Sequence, residues 1–214
     1  MKESQILNKI FEAEDELKIK ELEDAKKTLQ EILKFDENNT LRDAHTFIDA
    51  SVSFYSNFET YEAFEIIKPL FNKISQKEEW HFTDLNFFAR IIKIAKDYEE
   101  AISLAKEALN ALEHHKNYEE YNKLKTLILT NIMLRTLEEK DEKANIYFEK
   151  YIDESIIKNV TFLSDINIQK ACFIKALYYK DISWQKEILE YVKKNYGEVY
   201  SLFEKMSYKY KKGA

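Results

Sequence analysis

The chain has 214 residues, of which 45% are apolar and 34% charged, with two Gly, one Pro, one Cys and a formal net charge of −6 at pH 7. Tight hairpins, β-sandwich turns and phosphate-binding loops need glycine and proline at fixed positions, so this composition excludes folds built on them and favours an all-α fold. The single Cys172 cannot form an intramolecular disulfide, and no apolar run approaches the roughly 18 residues of a membrane span. We therefore expect a cytoplasmic protein without a membrane partner.

Five predicted helices share one pattern, in which a leading residue is followed four and seven positions later by packing residues. Positions four and seven apart lie on one helical face, and alanine in the lead lets a second helix approach closely. The leading residues are Ala25, Ala63, Ala101, Ala144 and Trp184, at separations of 38, 38, 43 and 40 residues. The pattern predicts B helices, as we call them, at 21–34, 59–73, 98–112, 141–152 and 184–194.

Polar residues that can cap helical amides stand just before four of these helices. Side-chain oxygens of Asp, Asn, Ser and Thr accept hydrogen bonds from the first free N–H groups of a helix, so they indicate where it begins. The predicted caps are residues 57–60, Asp97, Asp141, and Asp181 with Ser183.

The segments between the B helices carry few charges, and we call them A helices. They are predicted at 40–55, 83–95, 124–137 and 162–179, after a first helix at 1–17 and before a last one at 196–212. Charged residues take 11 of 61 A positions but 26 of 67 B positions. A helix flanked by neighbours on most sides excludes charge, whereas a helix with a broad face in water carries it.

Alternating A and B helices at a near-constant period predict an α-solenoid whose A helices line the concave side. No low-complexity linker divides the chain, so we expect one domain over 1–214. Its first helix pair would lie at 1–39 and its central pairs at 40–195. The last helix, at 196–212, would cap the stack or mediate dimerisation.

Two stretches resemble known helical repeats. Residues 22–39 (LEDAKKTLQEILKFDENN) and 98–112 (YEEAISLAKEALNAL) resemble the second helix of tetratricopeptide repeats, which implies a right-handed solenoid of about five irregular helix pairs. A narrower resemblance lies in EEWHFTDLNFFARII and LILTNIMLRTLEEKDEKANIYFEKY. These runs are similar to the C-terminal regulatory domain of Rgg/GadR/MutR-type transcriptional regulators.

That resemblance implies a function in transcriptional regulation by quorum sensing. Domains of this group bind short signalling peptides on the concave face, so we expect a short apolar peptide as ligand and a homodimer as the assembly. Family members begin with a helix-turn-helix domain, and no segment of this sequence corresponds to it. Contact with DNA would then require a missing or separate domain.

Arginine and asparagine on the A helices are the candidate ligand contacts. Lys outnumbers Arg thirty to three, and Arg42, Arg90 and Arg135 all fall on A helices. Asn86 precedes Arg90 by four residues and Asn131 precedes Arg135 by four, which places each pair on one helical face. Asn can hold a peptide main chain and Arg a carboxylate. The predicted peptide-binding residues are Asn86, Arg90, Asn131, Arg135, Asn167 and Lys170.

Two alternatives stay open at this point. Buried Asn and Arg side chains also tie neighbouring helices together, so these six residues could be structural rather than ligand contacts. The chain could also be a tetratricopeptide-like adaptor that holds a partner protein without switching. Catalysis is not expected, because the four His show no metal-ligand spacing and the sequence has neither a phosphate loop nor a nucleophile elbow. We expect no metal or cofactor, and Cys172 reads as a small core residue.

Overall fold

A computed structural model describes residues 2–137, 139, 146, 148–151 and 164–212 of the chain. All regular elements in this part are helical and none is a strand, which confirms the all-α prediction. The contacts divide the chain into two compact units, residues 1–76 and 77–214. The solenoid and the single domain remain predictions.

The first unit is built from four helices, each of which packs on the next. They are α1 (Glu3–Asp15), α2 (Ile19–Leu33), α3 (Asn39–Asn57) and α4 (Thr60–Ser75). Helix α1 also contacts α3, where Phe11 meets Phe47 edge to face with ring centroids 6.0 Å apart. Edge-to-face aromatic pairs of this kind stabilise a core beyond their buried area. The observed bounds match the predicted helices at 1–17, 21–34, 40–55 and 59–73 to within a few residues.

The second unit contains the remaining predicted helices. Helix α5 (Phe82–Ile91) continues into a 3₁₀ turn at Ile92–Ile94, and α6 (Tyr98–Glu113) and α7 (Tyr121–Thr136) follow. After the undescribed residues come α8 (Asp165–Tyr178), α9 (Ile182–Asn195) and α10 (Gly197–Lys212). The predicted B helix at 141–152 falls largely outside the described residues, although 148–151 are helical and both Phe148 and Tyr151 are buried.

Helix α7 is the most enclosed element of the second unit. It packs against α5, the 3₁₀ turn, α6 and α8, and every residue from Thr126 to Thr136 is buried. Its apolar side chains therefore lie on all faces of the helix. A sequence that is apolar all round is typical of a helix surrounded by protein. The small number of charged residues in this A helix thus has the predicted cause, which is burial by neighbouring helices.

The repeated pattern corresponds to close packing in the helices that the structure describes. Ala63, Ile67 and Leu70 on α4 are buried, as are Ala101, Ala105 and Ala108 on α6. At the C-terminal end, α10 packs on α8 and α9, with the rings of Phe203 and Phe173 5.2 Å apart. The apolar face of α10 is thus buried within the chain, and the choice between a capping and a dimerising role stays a prediction.

Two of the predicted capping residues cap a helix in the structure. Asp97 accepts a hydrogen bond from the Glu100 N–H at 2.8 Å, and Asp181 accepts one from the Trp184 N–H at 3.0 Å. Asn57 instead accepts from the Glu59 N–H just before α4, and no side chain caps that helix. Asn38, which the sequence reading passed over, caps α3 through the Leu41 N–H at 2.9 Å. The predicted cap Asp141 lies outside the described residues.

Three helical hairpins turn through a residue with left-handed backbone geometry. Leu17 joins α1 to α2 with φ at 59°, Phe58 joins α3 to α4 with φ at 59°, and Lys180 joins α8 to α9 with φ at 56°. Glycine usually takes this position at a helix end because it has no Cβ to clash. Leu17 and Phe58 are buried, so core packing offsets the backbone strain at these two turns.

Candidate functional site

The six predicted ligand contacts lie on α5, α7 and α8 of the second unit. Five of them are buried, and Asn86 alone is half-buried. Asn131 and Arg90 are each 1% exposed and Lys170 is 2% exposed. The site residues of these A helices are therefore held inside the protein, and their partners decide what they can do.

Asn131 connects three helices. Its side-chain Nδ2 donates to the Ala89 carbonyl on α5 at 2.8 Å, and its Oδ1 accepts from Lys170 Nζ on α8 at 3.3 Å. Its donor and acceptor groups are thus both engaged, as burial requires. Asn131 is the central member of a polar chain that runs from α8 through α7 to α5.

Arg135 closes the end of the 3₁₀ turn that follows α5. Its Nε donates to the Ala95 carbonyl and its Nη2 to the Lys96 carbonyl, each at 3.1 Å. The last carbonyls of a helix have no partner within it, and a cation at that end is favoured by the helix dipole. The guanidinium also lies 5.9 Å from the centroid of the Tyr98 ring and 3.5 Å from a carboxylate oxygen of Glu139.

Asn86 and Arg90 bond to each other along α5. Arg90 Nη1 donates to the Asn86 carbonyl at 2.7 Å and to Asn86 Oδ1 at 3.2 Å, which agrees with the predicted shared face. Asn86 Nδ2 in turn donates to the Phe82 carbonyl at 3.0 Å. Asn167 sits apart from this group, since its side-chain bond runs to the Ser164 hydroxyl at the start of α8. The structure thus joins Asn86 with Arg90 and Asn131 with Lys170, whereas Arg135 and Asn167 each have other partners.

These contacts are of the kind that ties helices together. A peptide main chain that bound Asn131 or Arg135 would have to break existing internal hydrogen bonds, and leaving a buried polar group unsatisfied costs about 1–3 kcal/mol. Two clefts in the described part of the chain are lined by other residues. Peptide contact by the six residues remains a prediction.

An open cleft of about 580 Å³ lies between the segment that precedes α5 and the end of α6, and we call it the α5–α6 cleft. Sequence reasoning missed it, because its two walls are about thirty residues apart and neither wall carries a recognisable motif. The only signal was the high content of Glu and His in both stretches. The lining residues are Lys77, Glu78, Glu79, Trp80 and His81 on one side and Glu107, Asn110, Ala111, His114 and His115 on the other.

Asp84 fixes one wall of this cleft. Its Oδ1 accepts from Lys77 Nζ at 2.6 Å and its Oδ2 from the His81 N–H at 3.0 Å, so one buried carboxylate holds both ends of the 77–81 segment. Trp80 packs between these ends against Phe88, with ring centroids 4.7 Å apart. The wall is therefore anchored to α5 by one charge and one aromatic contact.

Three carboxylates of the α5–α6 cleft are available to a ligand. Glu78, Glu79 and Glu107 are exposed, and none of them has a hydrogen bond or ion pair with any residue that the structure describes. Lys77 is the one Lys or Arg among the described residues that line the cleft, and Asp84 already binds it. The cleft therefore presents a negative field to solvent.

Aromatic contacts close one edge of the same region. The rings of Phe82 and Tyr118 are stacked at 4.9 Å, and the His115 ring contacts both at 5.6 and 5.3 Å. This cluster joins the start of α5 to the segment after α6. It keeps the two walls of the cleft in a fixed relation.

The second cleft lies in the first unit, between α1 and α2, and has a volume of about 520 Å³. Ile6, Ile10, Ala13 and Ala25 form its apolar part. Its polar rim mixes both signs of charge, with Lys9 beside Glu12, Glu21 and Asp24. This mixed lining favours no single class of ligand.

No three His, Cys, Asp or Glu side chains in the described part of the chain are placed to hold a metal ion. The imidazoles and carboxylates of the α5–α6 cleft share no hydrogen bond with one another in that same part. Cys172 is half-buried rather than fully buried, and burial raises the pKa of its thiol although the nearby Lys175 lowers it.

Comparison with known proteins found no family model, curated protein or solved structure that matches this chain. Among the described helices, none has both the length and the apolar character needed to cross a bilayer.

Proposed function

We propose that this chain is a helical-repeat binding module that holds a segment of another polypeptide. The observation that supports the proposal is that its buried polar residues bond within the protein while other polar residues face solvent. Buried Asn and Arg on α5 and α7 bond to the protein itself, whereas Glu78, Glu79 and Glu107 line an open cleft and have no hydrogen bond or ion pair with any other residue that the structure describes. A stiff scaffold with unused polar groups at a concave site is the arrangement that recognition of a partner needs.

A peptide array tests this function without assuming the ligand. The full chain, labelled with a fluorophore, is applied to short extended peptides that vary systematically in charge and apolar content. The proposal predicts that one class of peptide binds and that titration in solution reproduces the array result with micromolar affinity. Absence of binding by every class, while circular dichroism shows a folded helical protein, would overturn the function.

Hydrogen exchange then locates the bound peptide. A ligand in the α5–α6 cleft protects amides at 77–82 and at the end of α6, whereas a ligand on the A helices changes exchange in α7 and α8. The two outcomes separate constitutive binding in the cleft from a peptide-sensing function.

The second candidate is the peptide-sensing regulatory domain that the resemblance to Rgg-type regulators implies. Two observations favour it: Asn86 is half-buried, and the bond between Lys170 and Asn131 is long at 3.3 Å. A peptide carbonyl could replace Asn131 as the acceptor for Lys170 and so change the contact of α7 with α8. A ligand transmits a signal only if it binds two conformations unequally.

Short apolar peptides test the sensing function. We expect binding that is weakened by Asn86→Ala and accompanied by altered exchange in α7 and α8, with a homodimer detected by sedimentation. Asn72→Ala, at an exposed amide of α4, is the matched control. Binding of apolar peptides that leaves exchange in α7 and α8 unchanged would favour the constitutive module instead.

A further inference from the structure

We propose that the α5–α6 cleft is a binding site for an arginine or lysine side chain of a partner peptide. This inference rests on the proposed binding function and adds to it the chemistry of the ligand. The cleft lies entirely within the second unit, and its volume of about 580 Å³ falls in the range of sites that enclose a ligand group.

Charge is the first reason for a cationic guest. Glu78 and Glu79 on one wall and Glu107 on the other place carboxylates on both sides of the cleft. The opposing cation, Lys77, is 2.6 Å from Asp84 and is neutralised there. An anionic ligand would meet net repulsion from these groups, whereas a guanidinium or ammonium group would find carboxylates on both sides.

The end of α6 is the second reason. Carbonyls in the last turn of a helix carry a partial negative charge, and a cation near them is favoured. The last turn of α6 contains no basic residue, although Glu113 stands in it. At the opposite wall, the amide at the start of α5 is already met by Asp84, through the His81 N–H. The Ala111 and Leu112 carbonyls accept from the His114 and His115 N–H groups, and no basic side chain in the last turn of α6 offsets the negative end of this helix at the cleft.

Trp80 is the third reason. Its indole lines the cleft and is supported by the Phe88 ring at 4.7 Å. The face of an indole attracts cations, Arg more often than Lys, and it also covers the apolar stem of either side chain. The imidazoles of His81 and His114 also line the cleft, and a ring nitrogen without a proton can accept a hydrogen bond from a guanidinium N–H group.

Because both walls of the α5–α6 cleft are held in place, little conformational freedom of the protein is lost when a ligand binds. Asp84 holds residues 77–81 by two bonds, and the Phe82, His115 and Tyr118 rings join the walls at one edge. A preformed site of this kind avoids the entropy loss that flexible loops suffer when they bind.

Two matched peptides test the proposal. An extended, otherwise neutral peptide with one central Arg is compared with the same peptide carrying Gln, at about pH 8, where histidine side chains are ordinarily neutral. We expect the Arg peptide to bind about tenfold more tightly, with the difference reduced at high salt. In NMR spectra the indole N–H of Trp80 should shift while that of Trp184, on α9, stays in place; Trp184→Phe assigns the two signals.

Substitutions of the glutamates identify which carboxylates bind the cationic side chain. Glu107→Gln is expected to weaken the Arg peptide about fivefold, and Glu78→Gln with Glu79→Gln and Glu107→Gln together should remove its advantage over the Gln peptide. These carboxylates are exposed and have no partner within the described part of the chain, so the variants should fold normally. Glu99→Gln, at the far end of α6, is the control and should change nothing.

The outcomes are distinct. Equal binding of the Arg and Gln peptides, or an advantage for Arg that survives in the triple variant, would overturn this assignment. If the array finds that only apolar or acidic peptides bind, the charge assignment fails while the binding function stands. If no class binds, both fail.

Discussion

Lys170 Nζ on α8 donates to Asn131 Oδ1 on α7 across 3.3 Å, and both side chains are buried. Because Asn131 also donates to the Ala89 carbonyl, we expect Asn131→Ala to lower the free energy of unfolding by about 2–3 kcal/mol. Lys170→Met should cost less in the Asn131→Ala background than in the natural chain, with a coupling of about 0.5 kcal/mol or more. Urea unfolding followed by circular dichroism measures all four proteins.

The exposed ion pair of Lys27 with Asp24, at 3.0 Å, supplies the control for this cycle. Exposed pairs contribute little because water screens them, so its coupling should be near zero. Strictly additive effects of Asn131→Ala and Lys170→Met would contradict the connected chain of contacts described above.

Asp84 should contribute more to stability than a single ion pair would, because its two oxygens bind both Lys77 and the His81 N–H. We expect Asp84→Asn to cost about 1–2 kcal/mol of stability and to speed hydrogen exchange at the amides of 78–82. It should also weaken the Arg peptide, since the segment that carries Trp80 loses its anchor. Glu31→Gln, which removes an exposed partner of Lys34, should stay within about 0.5 kcal/mol of the natural chain. Unchanged exchange at 78–82 would show that the segment is held by other contacts.

The helix caps give a prediction with an internal comparison. Asp97 caps α6 through its side chain, whereas Glu59 occupies the same position before α4 without a capping bond. We therefore expect Asp97→Ala to cost about 1 kcal/mol and Glu59→Ala to cost almost nothing. Thermal and urea unfolding of the two variants checks this. Equal losses would mean that the cap at α6 is unimportant.

Cys172 gives a prediction on pH dependence. Burial raises the pKa of its thiol, so less of it is thiolate at a given pH than in a free thiol, and only the thiolate reacts with iodoacetamide. At about pH 8 the folded protein should react more slowly than glutathione, with the rate rising as pH increases. Lys175 lowers the pKa by a smaller amount, so Lys175→Gln should slow the reaction further. In urea the difference from glutathione should vanish. A folded protein that reacts as fast as glutathione would contradict the raised pKa.

The positions of the helices could be predicted from sequence because their periodicity and composition are local properties. The predicted A helix at 124–137 and the observed Tyr121–Thr136 differ at their ends by three residues or fewer. The predicted A helix at 83–95 was correct in extent, but α5 itself ends at Ile91 and a 3₁₀ turn follows. Just after the turn, Arg135 of α7 donates to the carbonyls of Ala95 and Lys96, a contact between residues about forty positions apart that local periodicity does not reveal.

The roles of the polar residues could not be predicted in the same way. Spacing shows that Asn131 and Arg135 share a helical face, but it does not show what lies opposite that face. The structure places backbone carbonyls of α5 and its 3₁₀ turn there. The α5–α6 cleft was missed for the related reason that neither Trp80 nor Glu107 is distinctive until folding brings the two together.

The hairpin turns at Leu17 and Phe58 affect how this molecule can move. A glycine at such a turn leaves the two helices free to swing, but here the turn residue is itself buried and its backbone is held in a rare conformation. Opening either hairpin would pull a large apolar side chain into water. The pair α1–α2 and the pair α3–α4 are therefore each expected to move as one rigid body. A ligand-driven motion within the first unit would then be a displacement of one helical hairpin relative to the other.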